Sequence, residues 1–288
     1  MKKILLTGFV LIMFFVGKIS SATDGIINIT PSNGVKQGQT AFITVDFPDT
    51  PKNPVFMFKG KKYRLFKSGQ NEYSGLLGIS ALENPGKHEL AISDGTEIVG
   101  KAYINVLASP YPKQNIRVTK SMSGLGASDY ELKQIGQAKY TVTDEKLRTN
   151  APYNSPTQGC ISSVFGLKRY YNGVFSGNYH NGIDIKASFG TPVKAITDGK
   201  VLLAENAKLF RVNGTTVAID HGQGLVSFYL HMSKLDVKAG DFVKAGQKIG
   251  EVGSTGFSTG PHLHWGLYIH GTPIDPMAGW IKPVSLCK

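Results

Sequence analysis

Apolar and polar positions alternate in short runs along most of the chain, and glycine, proline, asparagine and aspartate separate the runs. Residues 41–47 place Ile43, Val45 and Phe47 on one face of a strand. Residues 55–58 and 63–66 flank Lys59-Gly60-Lys61-Lys62, the pattern of a hairpin. Residues 89–92, after Pro85-Gly86, and 102–106 continue the series. Strands at this spacing predict a small β-sandwich, immunoglobulin-like, over residues 23–108. Residues 109–156 read as a connector that begins with Pro110 and Pro112. Within it, Ser128-Asp129-Tyr130-Glu131 is a capping-box pattern that opens a short helix running to about Ala138. Strand-like runs return at 191–196, 199–204, 215–220, 225–230, 248–252 and 262–269, with no helical period among them. Residues 157–288 therefore form a second, sheet-built domain, and the fold class is mainly β.

The first 22 residues carry Lys2 and Lys3, an apolar run that stops at Lys18, and small residues at Ser20 and Ala22. The run is shorter than the ~20 residues of a bilayer span. The segment fits a secretory signal cleaved after Ala22, with no transmembrane segment once it is removed. Export to the periplasm, cell wall or exterior follows. The 288 residues carry a net charge of +12, of which residues 1–22 contribute three units. The remainder is spread along the chain and forms no basic tail, and no nucleic-acid motif accompanies it. For an exported chain this charge suits an anionic envelope polymer better than nucleic acid. The two cysteines, Cys160 and Cys287, are too few for a thiolate metal site. In an oxidising compartment they can form one disulfide between the C-terminus and the start of the second domain.

Six of the seven histidines fall between residues 180 and 270. His180 and Asp184 stand four apart, and His262-Leu263-His264 is an i, i+2 pair that shares a strand face. A third histidine, His231, ends another strand-like run. Neutral imidazoles with one carboxylate suit Zn²⁺, and three protein ligands leave a position for water. His221 and Asp275 read as turn residues, and His270 as a solvated hairpin tip. His88 lacks the partner that a zinc-protease helix motif requires. Tyr179 and Asn172 flank the first ligand region and are candidates for a groove wall.

His180-x-x-x-Asp184, Leu230-His231-Met232, and Gly253-Ser254-Thr255-Gly256 leading into Gly260-Pro261-His262-Leu263-His264-Trp265 resemble the lysostaphin/LytM-type zinc metallopeptidases, peptidase family M23. The similarity extends over about residues 157–276, from Ser163-Val164-Phe165-Gly166 to Ile274-Asp275-Pro276. The resemblance implies an open antiparallel β-sheet, barrel-like domain holding one zinc ion on His180, Asp184 and His264. His231 and His262 become the catalytic pair, with His262 as general base and His231 in an oxyanion or positioning role. The implied activity is hydrolysis of peptide cross-links in bacterial peptidoglycan, with peptidoglycan peptides as partner and a regulatory envelope protein as a further one. D-Ala–diaminopimelate cross-links are expected ahead of glycine bridges. Some members of that family lack ligands and act as non-catalytic, wall-binding activators of other hydrolases; here every ligand position is filled.

Two other motifs carry less. Gly256-Phe257-Ser258-Thr259-Gly260 matches a serine-hydrolase elbow, which needs a following helix, whereas Pro261 and a strand follow here. The stretches 190–200 and 237–250 resemble carrier-domain half-motifs but lack a lysine between methionines. The first domain is expected to target the wall or to inhibit, since the connector is long enough to fold it over a groove.

Overall fold

A computed structural model describes residues 26–117 and 126–288, so the expected signal segment lies outside the described residues. The first domain is two sheets. One is ordered Ile26–Thr30, Thr40–Asp46, Glu72–Gly78, Phe66–Lys67; the other Val35–Lys36, Glu97–Leu107, Gly86–Asp94, Pro54–Phe58, Lys61–Arg64. Ile43, Val45 and Leu77 of the first sheet share one apolar cluster with Phe56, Leu90, Ile92 and Ile104 of the second. The expected hairpin forms around a two-residue turn, Lys59-Gly60, both with positive φ as a type I′ turn requires. Residues 63–66 are not one strand. The chain leaves one sheet after Arg64, buries Leu65 and joins the other at Phe66.

The second domain is built on an antiparallel sheet with the order Cys160–Ser163, Ile183–Lys186, His262–Ile269, Leu225–Met232, Thr215–Asp220, Gly199–Glu205, Phe242–Val243. Alternation sorts its side chains onto two faces. Ile183, Ile185, Tyr229, Leu263, Trp265, Leu267 and Ile269 enter the main core. Val226, Phe228 and Leu230 point the other way, where Ala138 of the helix Asp129–Lys139 joins their cluster. Asp184, His262 and His264 also lie on that second face, beyond the part the helix covers. The Cys160–Cys287 disulfide is formed across a separation of 127 residues.

Ser128 caps the helix by accepting the Glu131 N–H, as the capping box predicts. Glu131 itself departs from the motif. Its fully buried carboxylate accepts the backbone N–H groups of Arg211 (2.8 Å), Val212 (3.2 Å) and Asn213 (2.7 Å), and the Asn213 side-chain amide at 2.8 Å. The connector thus reaches into the second domain. It also contributes a strand, Lys113–Ile116, which pairs in parallel with Lys168–Tyr171.

The two domains are packed together. Phe42 stacks on Trp280, whose indole N–H donates to Thr40 Oγ1 at 3.1 Å, and the Asp275 N–H donates to the Gly38 carbonyl at 2.7 Å. The contact covers His270, contrary to its expected solvation. It sits at the hairpin tip with φ 47°, but its ring meets Tyr63 edge-on and its Nε2 is buried without a partner.

Candidate metal and catalytic site

Three donor atoms converge on one point. His180 Nε2 lies 3.0 Å from Asp184 Oδ1 and 3.1 Å from His264 Nδ1, and Asp184 Oδ1 lies 2.9 Å from His264 Nδ1. The spacing of four between His180 and Asp184 comes from neither a helix nor one continuous strand. His180 follows the strand Val174–Tyr179, the chain turns through Asn181 and Gly182, and Asp184 lies in the next strand. Gly182 is required by close approach, since a Cβ there would stand on the Trp265 carbonyl. Asp184 and His264 are direct cross-strand partners, so the antiparallel register itself juxtaposes them.

The protonation pattern fits a cation. The His180 Nδ1 is 2.8 Å from the Val164 carbonyl, an acceptor, so it carries the proton and Nε2 presents a lone pair. That lone pair meets a carboxylate oxygen and a second imidazole nitrogen within hydrogen-bond distance, three acceptors facing one another. Burial alone would raise the Asp184 pKa, but the adjoining His180 and His264 rings override it and hold the group well below the usual carboxylate range. Burial lowers the His264 pKa despite the pull of Asp184, with the charges of His180 and Arg169 acting in the same direction as burial. His180 is fully buried, whereas Asp184 and His264 keep 20% and 13% of their side-chain surface exposed. The cluster therefore opens to solvent on one side only.

His231 and His262 stand at that opening, with ring centroids 5.0 Å apart and His262 Nε2 3.9 Å from Asp184 Oδ1. Backbone carbonyls fix both rings alike: Thr255 O lies 2.8 Å from His231 Nδ1, and Gly260 O 2.8 Å from His262 Nδ1. Each ring thus donates from Nδ1 and turns the lone pair of Nε2 toward the cleft. His231 has a left-handed backbone, φ 62°, and its N–H donates to the Asn213 carbonyl at 3.0 Å. Burial, then the neighbouring His264 and His262, depress its pKa to about 3.

The cleft encloses about 470 Å³ and includes Gln114, Arg169, Tyr171, Asn213 and Ser258 in its lining. Tyr179 lines it as expected, though its hydroxyl is 3.4 Å from Ser80 Oγ of the first domain; Asn172, at a hairpin turn, does not. No described residue of 26–108 lines the cleft. Ser258 is 3.3 Å from His262 Nδ1, but a strand follows it, not the helix of a nucleophile elbow. His221 lies at the far end of the Thr215–Asp220 and Leu225–Met232 pair, bonded to Asp198 O and Ser227 Oγ at 2.8 Å each. His88 lies in the first domain, with its Nε2 2.7 Å from the Asn84 carbonyl. Periodicity gave no sign of Glu131, Asn213 or Arg169.

Residues 178–276 match the family model for Peptidase family M23. Over 154 residues the chain is 38% identical to the peptidoglycan DD-endopeptidase ShyA of Vibrio cholerae, covering 54% of this chain and 35% of that protein. Over 118 residues it is 42% identical to a glycyl-glycine endopeptidase of Staphylococcus capitis, covering 39% of this chain and 32% of the relative. A crystal structure from Pseudomonas aeruginosa bearing the peptidase M23 description superposes with a TM-score of 0.63 at 28% identity, covering 85% of this chain and 95% of the other. The chain spans about a third of the length of the curated relatives it matches first.

Proposed function

The chain belongs to peptidase family M23, and from that premise we propose that it is an exported, zinc-dependent endopeptidase that hydrolyses peptide cross-links of bacterial peptidoglycan. The observation that carries the reading is the convergence of His180, Asp184 and His264 within 3.1 Å beside two histidines of matched orientation. Two imidazoles and a carboxylate suit one Zn²⁺ ion with a position left for water. When bound, the metal supplies Lewis acidity, polarising a carbonyl and lowering the pKa of water.

The remaining chemistry belongs to the chain. His262 takes a proton at Nε2, because its Nδ1–H is committed to Gly260 O. Once protonated, the same atom can donate to the departing amine. His231 remains neutral through burial and positions the attacking water by accepting a hydrogen bond at Nε2. The Gly-rich turn 253–256 holds that geometry, since the Thr255 carbonyl orients His231 while the Thr255 hydroxyl donates to Met232 O at 2.7 Å. The mature chain's positive charge supports an anionic wall polymer as substrate. We also propose that residues 1–22 direct export. Among the described residues no helix is long and apolar enough to cross a membrane.

Digestion of purified peptidoglycan, followed by mass analysis of the released muropeptides, tests the activity. Zinc content of wild type and of His180→Ala tests the site. Stoichiometric zinc that is lost with His180, together with cross-link cleavage, is the expected result. An active metal-free protein, or intact cross-links after treatment with zinc-loaded protein, would refute the proposal.

A further inference from the structure

Arg169 stands in the cleft wall with no acidic partner among the described residues. The hairpin of Lys168–Tyr171 and Val174–Tyr179 slips register between Lys168 and Tyr170. Arg169 alone separates those two, while Ser176, Gly177 and Asn178 separate their partners Phe175 and Tyr179, so the bulge lies in the partner strand, opposite Arg169. A bulge bends and twists the strand pair where it sits. Arg169 is anchored on both sides: its carbonyl accepts the Ser176 hydroxyl at 2.9 Å, and it stands in register with Gln114 of the parallel strand. Both residues line the same cleft as Asp184, His231, His262 and His264. The Arg169 Nε is buried and has no hydrogen-bond partner among the described residues. Asp184 is the one carboxylate among the described lining residues, and it is already engaged by His180 and His264. A guanidinium is charged at any working pH, and a buried, unpaired donor on it is costly unless a ligand completes it. Its planar fork matches a carboxylate.

We propose that Arg169 is the subsite for a free carboxylate on the substrate residue adjoining the scissile bond. The inference rests on the peptidoglycan-peptidase reading above and narrows its substrate class. In a D-Ala–diaminopimelate cross-link, the carbon bonded to the scissile nitrogen bears a free carboxylate. In a glycine bridge the neighbouring carbonyls are amides and offer no charge. Arg169 therefore selects the diaminopimelate cross-link.

The test uses two synthetic cross-linked peptides, identical except that this carboxylate is free in one and a carboxamide in the other. The zinc-loaded full chain is compared with Arg169→Gln and Arg169→Lys, each with an unfolding curve. Wild type is expected to favour the free carboxylate by about 10- to 100-fold in kcat/KM, the range of a charge-assisted bidentate contact. The ratio between the peptides should fall toward one in Arg169→Gln and recover in part with Lys. A wild-type ratio near one, or a ratio unchanged in Arg169→Gln, would overturn the proposal, as would equal losses on both peptides. If wild type cleaves neither peptide, the peptidase reading fails separately, and calorimetric binding of the same two peptides decides. Preference for the free carboxylate that depends on Arg169 then supports the subsite, and its absence overturns it.

Discussion

Replacing Glu131 by alanine removes a carboxylate that accepts three backbone N–H groups and one side-chain amide from residues 211–213. The site is fully buried, so those donors lose their acceptor away from solvent. An unsatisfied buried donor costs about 1–3 kcal/mol, and the vacated space is large enough for water to recover part of that. The expected loss is about 3–5 kcal/mol of unfolding free energy, large for one substitution and attributable to a broken buried network. The damage should not stop at stability. The Asn213 carbonyl holds the N–H of His231, whose left-handed backbone needs such support. Glu131→Gln keeps the volume and one acceptor oxygen, so it should fold while turning an amide donor against donors. Denaturant unfolding followed by circular dichroism measures the first effect. Peptidoglycan hydrolysis by Glu131→Gln, well below its melting temperature, measures the second, with at least a tenfold loss expected. Unfolding of Glu131→Ala within about 0.5 kcal/mol of wild type, with hydrolysis intact in both variants, would refute the view that this carboxylate holds the loop.

Removing the disulfide as Cys160→Ser/Cys287→Ser should cost up to about 5 kcal/mol in the chain-entropy limit for its 127-residue separation; unchanged melting in non-reducing buffer would contradict this. His270 is held neutral by burial, with Arg148 adding repulsion, at a pKa of about 4. The folded value lies below the unfolded value of about 6.5, so the unfolded chain binds the proton first. The stability His270 allows is therefore complete above about pH 6.5 and falls by about 3 kcal/mol as pH drops to 4. His270→Asn, which tolerates the positive φ, should flatten the pH–stability curve in that window, and an unchanged slope counts against the assignment. Deleting residues 23–108 while keeping the connector should not raise hydrolysis, since no described residue of 26–108 lines the cleft. A several-fold rise would show that the first domain obstructs the groove.

The parts legible in the sequence were those governed by short periods. Alternation along residues 262–269 puts His262 and His264 on one face, and the strand His262–Ile269 has those bounds. The turn chemistry of Lys59-Gly60 and the cap at Ser128 are equally local. Wherever a residue's role is set by a partner far along the chain, the pattern misleads. The Ser128–Glu131 spacing describes a reciprocal cap, yet the carboxylate binds backbone 80 residues away. His270 occupies a tip that local sequence marks as exposed, and Tyr63 of the other domain covers it. The register slip at Arg169 leaves no mark in hydrophobic alternation, because bulges depend on the partner strand.

The division between legible and hidden residues follows a division of labour in the molecule. The three converging donors and the two adjacent histidines all fall within the stretch matched by the family model. Gln114, Glu131 and Arg169 fall outside it. Gln114 and Arg169 form one wall of the cleft, and Glu131 braces the loop that carries Val212 and Asn213 into another. Two of these three residues come from the connector, which therefore completes the groove rather than merely spacing two domains. Chemistry fixed by the sheet and a groove finished by the connector can vary independently. Substitutions in residues 113–116 or 129–139 should therefore alter substrate preference and the hold on His231, while the His180, Asp184 and His264 cluster keeps its register on the strands.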